Sequence, residues 1–423
     1  MTEWKVPLFD LDLGEEENKC VKGVLDSRWL TMGKVTKDFE SAFADYLGVK
    51  HAIAVSSGTA AMHLAHNALG IEQGDKVICP SLTFVATANA ILYTGATPVF
   101  ADITNLDELT ISPDDIDSRI DESTKGIVVV HYAGFPCNMD RILEIARNHN
   151  LFVIEDAAHA VGAEYRSKQG KGLRLEGESS KLKAESSYIE AASLPDSSTN
   201  DSRFTIHDSR ACKVGTIGDI GCFSFFSNKN MTTAEGGMVV TNRDDLAEKI
   251  RTARCHGMTS LTWDRHKGHD FNYDVIGPGF NYRIDELRSS LGLVQLKKLE
   301  GNNRKRRSLW ALYVQMLNSI EEIVVPFSRF SGISSYHIFP VLLSEQVDRK
   351  CFMEYLREQG VQTSIHYPPI HLFSYYKELI PSDTAHLPLT EYVGRREVTL
   401  PLFPAMDEQH IEYVANSIKK YLG

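Results

Sequence analysis

One lysine in this chain stands on a tight turn between two apolar, strand-like segments. Lys229 follows the run Gly221–Phe226 across a short polar turn, and Gly236 and Gly237 then lead back into an apolar segment. A lysine on such a turn of small residues can reach a carbonyl carbon and form an imine. Most loop lysines are instead solvated surface charges, so Lys229 alone leaves both interpretations open.

A carboxylate and a hydroxyl-rich turn follow two other strand-like segments. Asp156 comes after the apolar run Leu151–Ile154. An acid near the carboxyl end of a parallel strand can keep a pyridine nitrogen protonated, although it could also cap a following alanine-rich helix. Ser57, Gly58 and Thr59 lie between a strand and a helix. Backbone N–H groups and hydroxyls at such a place can hold a phosphate or simply cap the helix.

Two further side chains add to this set. Ser224, five residues before Lys229, could supply another hydroxyl to the same phosphate. Phe84 could stack on a flat heteroaromatic ring, which is worth about 1 kcal/mol, or it could belong to the core. An imine-forming lysine, an acid for a ring nitrogen, a phosphate cradle and a stacking aromatic together describe a site for pyridoxal 5′-phosphate (PLP).

The composition excludes several classes of protein. A chain of 423 residues favours two domains, and 43% hydrophobic with 24% charged residues is typical of a globular protein. The net charge of −11 argues against a nucleic-acid partner. The first residues have no apolar core of a signal peptide, and no run approaches the roughly 18 apolar residues of a membrane span, so we expect no membrane partner.

The cysteines carry little chemical signal. None of the seven forms a CxxC pair, which makes a zinc site and a disulfide scaffold unlikely: Cys20, Cys79, Cys137, Cys212, Cys222, Cys255 and Cys351. We therefore expect no metal and a reduced, cytoplasmic protein.

Strand and helix signals alternate from about residue 50 to residue 160. We predict strands at His51–Val55, Lys76–Cys79, Thr97–Ala101, Gly126–Val130 and Leu151–Ile154, continued by Gly221–Phe226 and Met238–Thr241. Between them we predict helices at Phe84–Tyr93, after Ser112-Pro113, and after Ser57, where Ala61, Leu64, Ala65, Ala68 and Leu69 share one face. This alternation predicts an α/β fold with a mainly parallel sheet.

The pattern changes near residue 300. A basic amphipathic helix is predicted at Asn302–Leu317, with strands around His337–Leu342 and helices near Arg349–Gln359 and Glu408–Leu422. We predict a large cofactor-binding domain over residues 1–255, and linker helices with a small C-terminal α+β domain over residues 256–423.

One segment fits neither domain. Residues 167–212 hold ten serines, several charges and no periodic apolar pattern, which is the composition of a loop. Loops beyond about 15 residues are uncommon inside a compact domain. An inert surface insertion, a lid over the site and an artefact of gene prediction all remain open.

Several segments together resemble one family. The chain is similar to the DegT/DnrJ/EryC1/StrS family of nucleotide-sugar aminotransferases, from about residue 5 to the end apart from the insertion. The segments that carry the resemblance are 55–65 (VSSGTAAMHLA), 80–91 (PSLTFVATANAI), 154–160 (IEDAAHA), the Lys229 turn, 279–283 (GFNYR) and 366–371 (HYPPIH). The resemblance implies a fold type I PLP-dependent transferase, with a mixed, mainly parallel sheet flanked by helices and a smaller C-terminal α+β domain.

The resemblance also implies roles for individual residues. Lys229 and Asp156 are the catalytic pair: Lys229 carries PLP as an imine and then acts as the proton-transfer base, and Asp156 pairs with the ring nitrogen. His159 lies on the side of the ring hydroxyl, unless it is a core histidine. Gly58, Thr59 and Ser224 hold the phosphate. Asn281 reaches the phosphate in a second subunit, so a homodimer with shared active sites is implied.

The substrate is expected to be a keto-sugar of a nucleoside diphosphate, with an amino acid, L-glutamate as in the family, as the donor. Thr31, Gly33, Tyr282, Arg283, His366 and His371 are the residues expected to contact it. A pyridoxamine-dependent sugar dehydratase is one alternative, but such relatives replace the lysine. A non-catalytic regulatory relative would be expected to lose Lys229 or Asp156. The chain departs from the family at the insertion and at Ala234, where many members have glycine.

Overall fold

A seven-stranded sheet forms the centre of the molecule. The structure, a computed structural model, describes residues 4–167, 211–259, 273–380 and 386–423. The first nine described strands are β1 (His51–Val55), β2 (Lys76–Pro80), β3 (Thr97–Ala101), β4 (Thr124–Val130), β5 (Phe152–Asp156), β6 (Glu164–Arg166), β7 (Ala211–Lys213), β8 (Ile220–Ser224) and β9 (Gly237–Thr241). The sheet has the order β1-β9-β8-β5-β4-β2-β3. Strand β9 is antiparallel to both of its neighbours, and the other pairs are parallel.

Helices cover both faces of this sheet. They are α1 (Glu15–Ser27), α2 (Lys34–Leu47), α3 (Gly58–Ala68), α4 (Ala86–Leu92), α5 (Pro113–Ser118), α6 (Met139–His149) and α7 (Asp244–Arg254). Strand β4 shows why its segment 127–130 is apolar without interruption. Ile127 and Val129 pack with residues of α5 and α6, whereas Val128 packs with residues of α3 and α4. A strand that is buried on both faces needs an apolar side chain at every position.

The last third of the chain adds a second layer. Its elements are α8 (Glu286–Leu317), β10 (Ile323–Val324), β11 (Phe339–Leu343), α9 (Arg349–Glu358), α10 (Ser374–Leu379), α11 (Pro388–Arg396), β12 (Glu397–Leu400) and α12 (Glu408–Leu422). Strands β10, β11 and β12 form an antiparallel sheet. Trp310 and Tyr313 of α8 pack with Phe339 of β11 and Phe352 of α9.

The α/β class and the mainly parallel sheet are confirmed, and most predicted strands are found within two residues of their expected bounds. The helix predicted at Asn302–Leu317 begins sixteen residues earlier, at Glu286. Asp285 caps it, since its carboxylate accepts the N–H of Arg288 at 2.9 Å. The early half of α8 buries polar and small residues such as Ser289 and Gln295. Without an apolar stripe, the sequence gives no helical period there. The predicted domain bounds stay a prediction.

Most of the serine-rich segment lies outside the described residues. Its two ends meet in a hairpin, because β6 pairs antiparallel with β7 from Glu164–Lys213 to Arg166–Ala211. Ala211 and Cys212 therefore belong to a strand, and the predicted loop ends two residues too late. The seven cysteines all lie in the described part of the chain, and none forms a disulfide with another. Within the described ranges no cluster of side chains is arranged to hold a metal, and no helix has the length and apolar character to cross a bilayer.

The start of α2 is held by a carboxylate from another helix. Glu286, which is 3% exposed, accepts the main-chain N–H groups of Gly33, Val35 and Thr36, each at 2.8 Å. It also accepts the Thr36 hydroxyl at 2.7 Å. The first N–H groups of a helix have no partner within the helix, and a negative charge there is favoured by the helix dipole. Glu286 thus fixes the segment Thr31–Gly33 against α8.

We expect Glu286→Gln to lower the free energy of unfolding by about 2 kcal/mol, because its amide NH₂ would face N–H donors that lose their charged acceptor. The measurement is the urea midpoint of the purified protein. Glu16→Gln, at an exposed position of α1, is the matched control and should leave the midpoint unchanged. Equal midpoints for the two variants would contradict this account of α2.

Candidate active site

The residues predicted to do chemistry gather at one edge of the large sheet. Asp156 ends β5 and Ser224 ends β8, and these two strands are parallel neighbours. Gly58 begins α3, three residues after the end of β1. The carboxyl ends of parallel strands meet at the same edge of a sheet, which is where open α/β folds bind their ligands. The topology therefore brings together segments that are far apart in sequence.

Lys229 follows β8 on a turn that ends before β9. Its side chain is partly buried, and within the described chain its amine has no hydrogen-bond or ion-pair partner. Burial lowers the pKa of Lys229 from 10.5 to about 8, and the Asp156 carboxylate opposes that shift. With that pKa about a tenth of the amine is neutral at pH 7, against less than about one part in a thousand for an ordinary lysine. A neutral amine is the form that attacks a carbonyl.

Asp156 is held from two sides. Its Oδ2 accepts the Thr87 hydroxyl at 2.9 Å, and its Oδ1 accepts the N–H of Ala158 at 3.1 Å. Burial raises the pKa of Asp156, while these hydrogen bonds and the Lys229 charge act in the opposite direction. The helix that Asp156 could have capped is not present, because residues 157–163 form turns. Asp156 is thus a partly buried acid whose two oxygens are fixed by hydrogen bonds, and it lies on the same edge of the sheet as Lys229.

The residue before Asp156 anchors the loop that leads into β8. Glu155 is fully buried and accepts the N–H groups of Gly215, Ile217 and Gly218 at 2.8, 2.6 and 2.7 Å. His131 Nε2 lies 3.1 Å from the same carboxylate. Adjacent residues of a strand point to opposite faces. Glu155 therefore binds the loop before β8 on one face of β5, whereas Asp156 lies on the other face, toward the site.

Three histidines lie near Lys229, and each has its pKa lowered by burial and by the Lys229 charge: His159, His337 and His366. His159 Nε2 is 2.9 Å from the Tyr367 hydroxyl. Its Nδ1 is buried and has no partner in the described chain. His159 is therefore a buried residue, but its free nitrogen is available to a group that the polypeptide does not supply.

Phe84 is not a core residue. Its side chain is 57% exposed, although it lies beside the site with its ring centroid 6.0 Å from that of Tyr367. An exposed phenylalanine at the rim of a cleft can cover the face of a bound ring.

The predicted phosphate residues are tightly placed. A Cβ on Gly58 would lie 2.8 Å from Cβ of Ser224, so only glycine lets α3 approach the end of β8 this closely. Ser57 caps α3 through the N–H of Ala60 at 3.1 Å, which confirms the capping interpretation for Ser57 itself. Thr59 is partly buried in the first turn of α3. The first turn of α3, which carries Thr59, thus lies against the end of β8, which carries Ser224, and N–H and hydroxyl donors of this kind suit a phosphate.

The segment 281–283 lies beside the start of α3. Asn281 is exposed. The Tyr282 hydroxyl is 3.0 Å from His63 Nδ1, and its ring stacks on Phe280 at 5.0 Å. Arg283 is partly buried and pairs through its main chain with Val55, the last residue of β1.

The structure separates the other predicted substrate residues. Thr31 is exposed, whereas Gly33 is buried with its N–H on Glu286. His366 lies near Lys229, whose charge acts on its pKa. His371 is instead directed to Ser81, at 2.7 Å from Nδ1, and its buried position gives no support to a substrate contact.

Several residues of the site were missed by the sequence analysis. Thr87 and Tyr367 bind Asp156 and His159 directly. Asn230, next to Lys229, donates to Asn303 at 2.8 Å and accepts from His337 at 2.8 Å in the tautomer that protonates Nδ1. Thr87 and Tyr367 stand inside segments that already matched the family, so a search of those segments for hydroxyls could have found them.

Ala234 shows why relatives favour glycine at this position. Its φ is +67°, in the left-handed region, where a side chain costs about 1–2 kcal/mol. It lies on the turn between Lys229 and β9. The departure from the family is thus accommodated with backbone strain and without a change of fold.

Comparison with known proteins decides the family. Residues 11–419 match the DegT/DnrJ/EryC1/StrS aminotransferase family. The chain belongs to this family. Aminotransferases of this family depend on PLP, so the expected cofactor and enzyme class are confirmed.

Individual relatives agree with this assignment over almost the whole chain. An uncharacterised protein of Methanocaldococcus jannaschii is 36% identical, covering 99% of this chain and 98% of its own. The spore coat polysaccharide biosynthesis protein SpsC of Bacillus subtilis is 34% identical, covering 96% and 94%. The structure of Helicobacter pylori PseC, an aminotransferase involved in the biosynthesis of pseudoaminic acid, superposes with a TM-score of 0.81 at 30% identity, covering 99% and 98%.

The residues of this aminotransferase fit PLP. A hydroxyl on the ring can supply the partner that His159 Nδ1 lacks. The close contact of Gly58 with Ser224 places the first turn of α3 against the end of β8, and the N–H groups and hydroxyls there are donors that a phosphate beside them could accept. The remaining requirements are an amine for the aldehyde and an acid for the ring nitrogen, and Lys229 and Asp156 lie on the same edge.

The pKa of Lys229 predicts its reactivity in the cofactor-free protein. Acylation of Lys229 by a small anhydride should rise with pH to half its maximal rate near pH 8, since only the neutral amine reacts. In Asp156→Asn the midpoint should move to lower pH, because the carboxylate that raises this pKa is gone. Peptide mass spectrometry gives both rates, with the exposed Lys19 as the reference in the same digests. A midpoint unchanged by Asp156→Asn would contradict the coupling of the two residues.

Proposed function

We propose that this aminotransferase moves an amino group from an amino acid, L-glutamate as the family resemblance implies, to a keto-sugar carried on a nucleoside diphosphate. The observation that carries the proposal is the Lys229 amine, which has a lowered pKa, no hydrogen-bond partner among the described residues and a place on the same sheet edge as Asp156. A cytoplasmic location and the individual site roles remain predictions.

In this proposal three contacts hold the cofactor: at its phosphate, at one face of its ring and at a ring substituent. Gly58, Thr59 and Ser224 bind the phosphate, and Phe84 covers one face of the ring. His159 donates or accepts a hydrogen bond through Nδ1, since its Nε2 is engaged by Tyr367. When bound, PLP supplies an aldehyde for amines and a ring that withdraws electrons from the carbon beside the nitrogen.

The polypeptide then handles protons. Asp156, fixed by Thr87 and by the Ala158 N–H, holds a proton on the ring nitrogen through its charge. The Lys229 amine would act as the base that accepts a proton from a substrate carbon and gives a proton back in each half of the reaction. A base whose pKa is about 8 is well matched to this work at neutral pH. The same two residues serve the donor half and the acceptor half of the reaction.

The relatives support a sugar as the acceptor. SpsC is described as a polysaccharide biosynthesis protein and PseC as an aminotransferase for pseudoaminic acid. The dehydratase alternative is disfavoured because Lys229 is present, and a regulatory role is disfavoured because both Lys229 and Asp156 are present and aimed at one place.

The experiment is product analysis by mass spectrometry, with a panel of nucleoside diphosphate 3-keto- and 4-keto-6-deoxyhexoses and glutamate. We expect amination of at least one sugar and release of the matching 2-oxo acid. Lys229→Ala should abolish turnover, and borohydride reduction should then leave no cofactor mass on the chain, in contrast to the unsubstituted protein. If the cofactor mass stays on the chain in Lys229→Ala, the assignment of Lys229 is wrong. If none of the sugars is aminated, the proposed substrate class is wrong.

We further propose a homodimer in which each site is completed by Asn281 of the second subunit. Asn281 is exposed and does not bond to the site of its own chain within the described residues. Large apolar side chains nearby in sequence are also exposed, with Val275 at 55% and Ile276 at 66%. An exposed apolar group of this kind is typical of a protein–protein contact.

Subunit mixing tests the shared site. Lys229→Ala and Asn281→Ala should each be inactive or weakly active alone. After unfolding and refolding of an equal mixture, about a quarter of the unsubstituted activity should return, because half of the dimers are hybrids with one intact site. Lys229→Ala mixed with Asp156→Asn is the control and should regain nothing, since both residues belong to the same chain's site. No recovery in the first mixture would exclude a shared site built on Asn281.

A further inference from the structure

A buried carboxylate lies behind His366, one of the three histidines near Lys229. The segment that contains His366 pairs with strand β12, since Ser364 and Thr399 exchange main-chain hydrogen bonds of 3.2 and 2.8 Å. Glu397 and Thr399, two residues apart on β12, point to the same side. Their exposed fractions are 0% and 1%, so water does not reach this side.

These side chains form a continuous line of hydrogen bonds. Glu397 Oε2 accepts the main-chain N–H of His366 at 2.8 Å, and Glu397 Oε1 is 2.5 Å from the Thr399 hydroxyl. The same hydroxyl oxygen is 2.9 Å from His366 Nδ1. The line therefore runs from a carboxyl group through one hydroxyl to one ring nitrogen, and each atom is fixed by the backbone of β12 or of the segment beside it.

A hydroxyl has a single hydrogen, and this restricts the possible arrangements. When Glu397 is ionised, Thr399 donates to the carboxylate and must accept from His366, so Nδ1 carries the ring hydrogen and Nε2 is an acceptor. When Glu397 is neutral, its proton lies on Oε1 because Oε2 accepts the main-chain N–H. Thr399 then accepts from Glu397 and donates to Nδ1, so Nε2 carries the hydrogen.

His366 Nδ1 is engaged by Thr399, whereas Nε2 has no hydrogen-bond partner in the described chain. The Lys229 charge acts on this ring, and burial together with that charge lowers the pKa of His366 to about 4. His366 is therefore neutral at ordinary pH, and only the position of its hydrogen can change.

We propose that the protonation state of Glu397 sets the tautomer of His366, and so decides whether Nε2 accepts or donates a hydrogen bond to a ligand beside Lys229. Glu397 and Thr399 are positioning residues, since they act through His366. Protonation adds one proton from solvent at Nε2, while the Nδ1 hydrogen passes to the Thr399 hydroxyl oxygen and the original Thr399 hydrogen passes to Glu397 Oε1. The part of this inference that concerns the ligand rests on the proposed function, in which the ligand is the hydroxyl-bearing sugar.

The surroundings of Glu397 favour a change near neutral pH. Burial raises its pKa to about 8, while the bonds from Thr399 and His366 and the charge of Arg349 oppose the rise. The Arg349 guanidinium bonds to the main-chain oxygens of Gly394 and Glu397, not to the carboxylate. The other groups facing the line are the Tyr132 hydroxyl, which bonds to the His366 carbonyl, and the Tyr367 hydroxyl on His159, with Lys229 and His337 beyond the His366 ring.

The test is nitrogen-15 NMR of histidine-labelled protein with its cofactor bound, with the His366 signals assigned by comparison with His366→Gln. As pH rises through about 8, Nε2 should move from the protonated to the unprotonated region of the spectrum and Nδ1 in the opposite direction. This readout needs no sugar and no turnover, so failure of the proposed substrate leaves the test intact. If the His366 nitrogen shifts of the unsubstituted protein show the same tautomer across this pH range, the proposal is wrong.

Three variants sharpen the test. Glu397→Gln keeps a donor and an acceptor in the arrangement of the neutral acid, so Nε2 should stay protonated at every pH. Thr399→Val removes the hydroxyl and should abolish the pH response, whereas Thr399→Ser should retain it. A response that survives in Thr399→Val, or a tautomer in Glu397→Gln that still follows pH, would show that the hydrogen-bond line does not control His366. Circular dichroism establishes that each variant is folded.

Discussion

The mutual influence of Asp156 and Lys229 depends on one topological fact, that β5 and β8 are parallel neighbours in the large sheet. This pairing brings a carboxylate and an amine to one partly buried edge, where charges interact more strongly than in water. Burial alone shifts both groups toward their neutral forms, because it raises the pKa of the acid and lowers that of the amine. Each charge limits the shift of the other, which leaves an ionisable acid beside an amine that is partly neutral at physiological pH.

The long helix α8 connects this edge to the second sheet. Asn303 holds Asn230, the residue after Lys229, and Arg306 donates to the main-chain oxygens of His337 and Leu402 at 3.0 and 2.7 Å. Arg306 is buried, and burial lowers its pKa to about 10. Polar side chains along one helix thus set the position of both the lysine turn and the histidines that surround it. The first half of α8 escaped sequence analysis for a related reason, because it buries small and polar residues such as Ser289 and Gln295.

The strands were predictable because a strand buried on both faces must be apolar throughout, as in residues 127–130 of β4. The cap at Ser112 was predictable for a similar local reason, and its hydroxyl accepts the N–H of Asp115 at 3.3 Å. Less local features were not. The helix considered after Asp156 is replaced by turns, and Phe84 is exposed, because neighbours from distant segments decide both. The bonds of Thr87 to Asp156 and of Tyr367 to His159 join residues 69 and 208 positions apart.

The sequence by itself determined the α/β class, the order of most elements and the residue types of a PLP site, since local periodicity and short motifs encode them. Only the tertiary structure decided which of these residues act together. It placed His366 near Lys229 but directed His371 to Ser81, although the two lie in one short motif. It also joined Glu397 and Thr399 to His366, because hydrogen bonds between buried side chains depend on strand pairing and leave no periodic trace in the sequence.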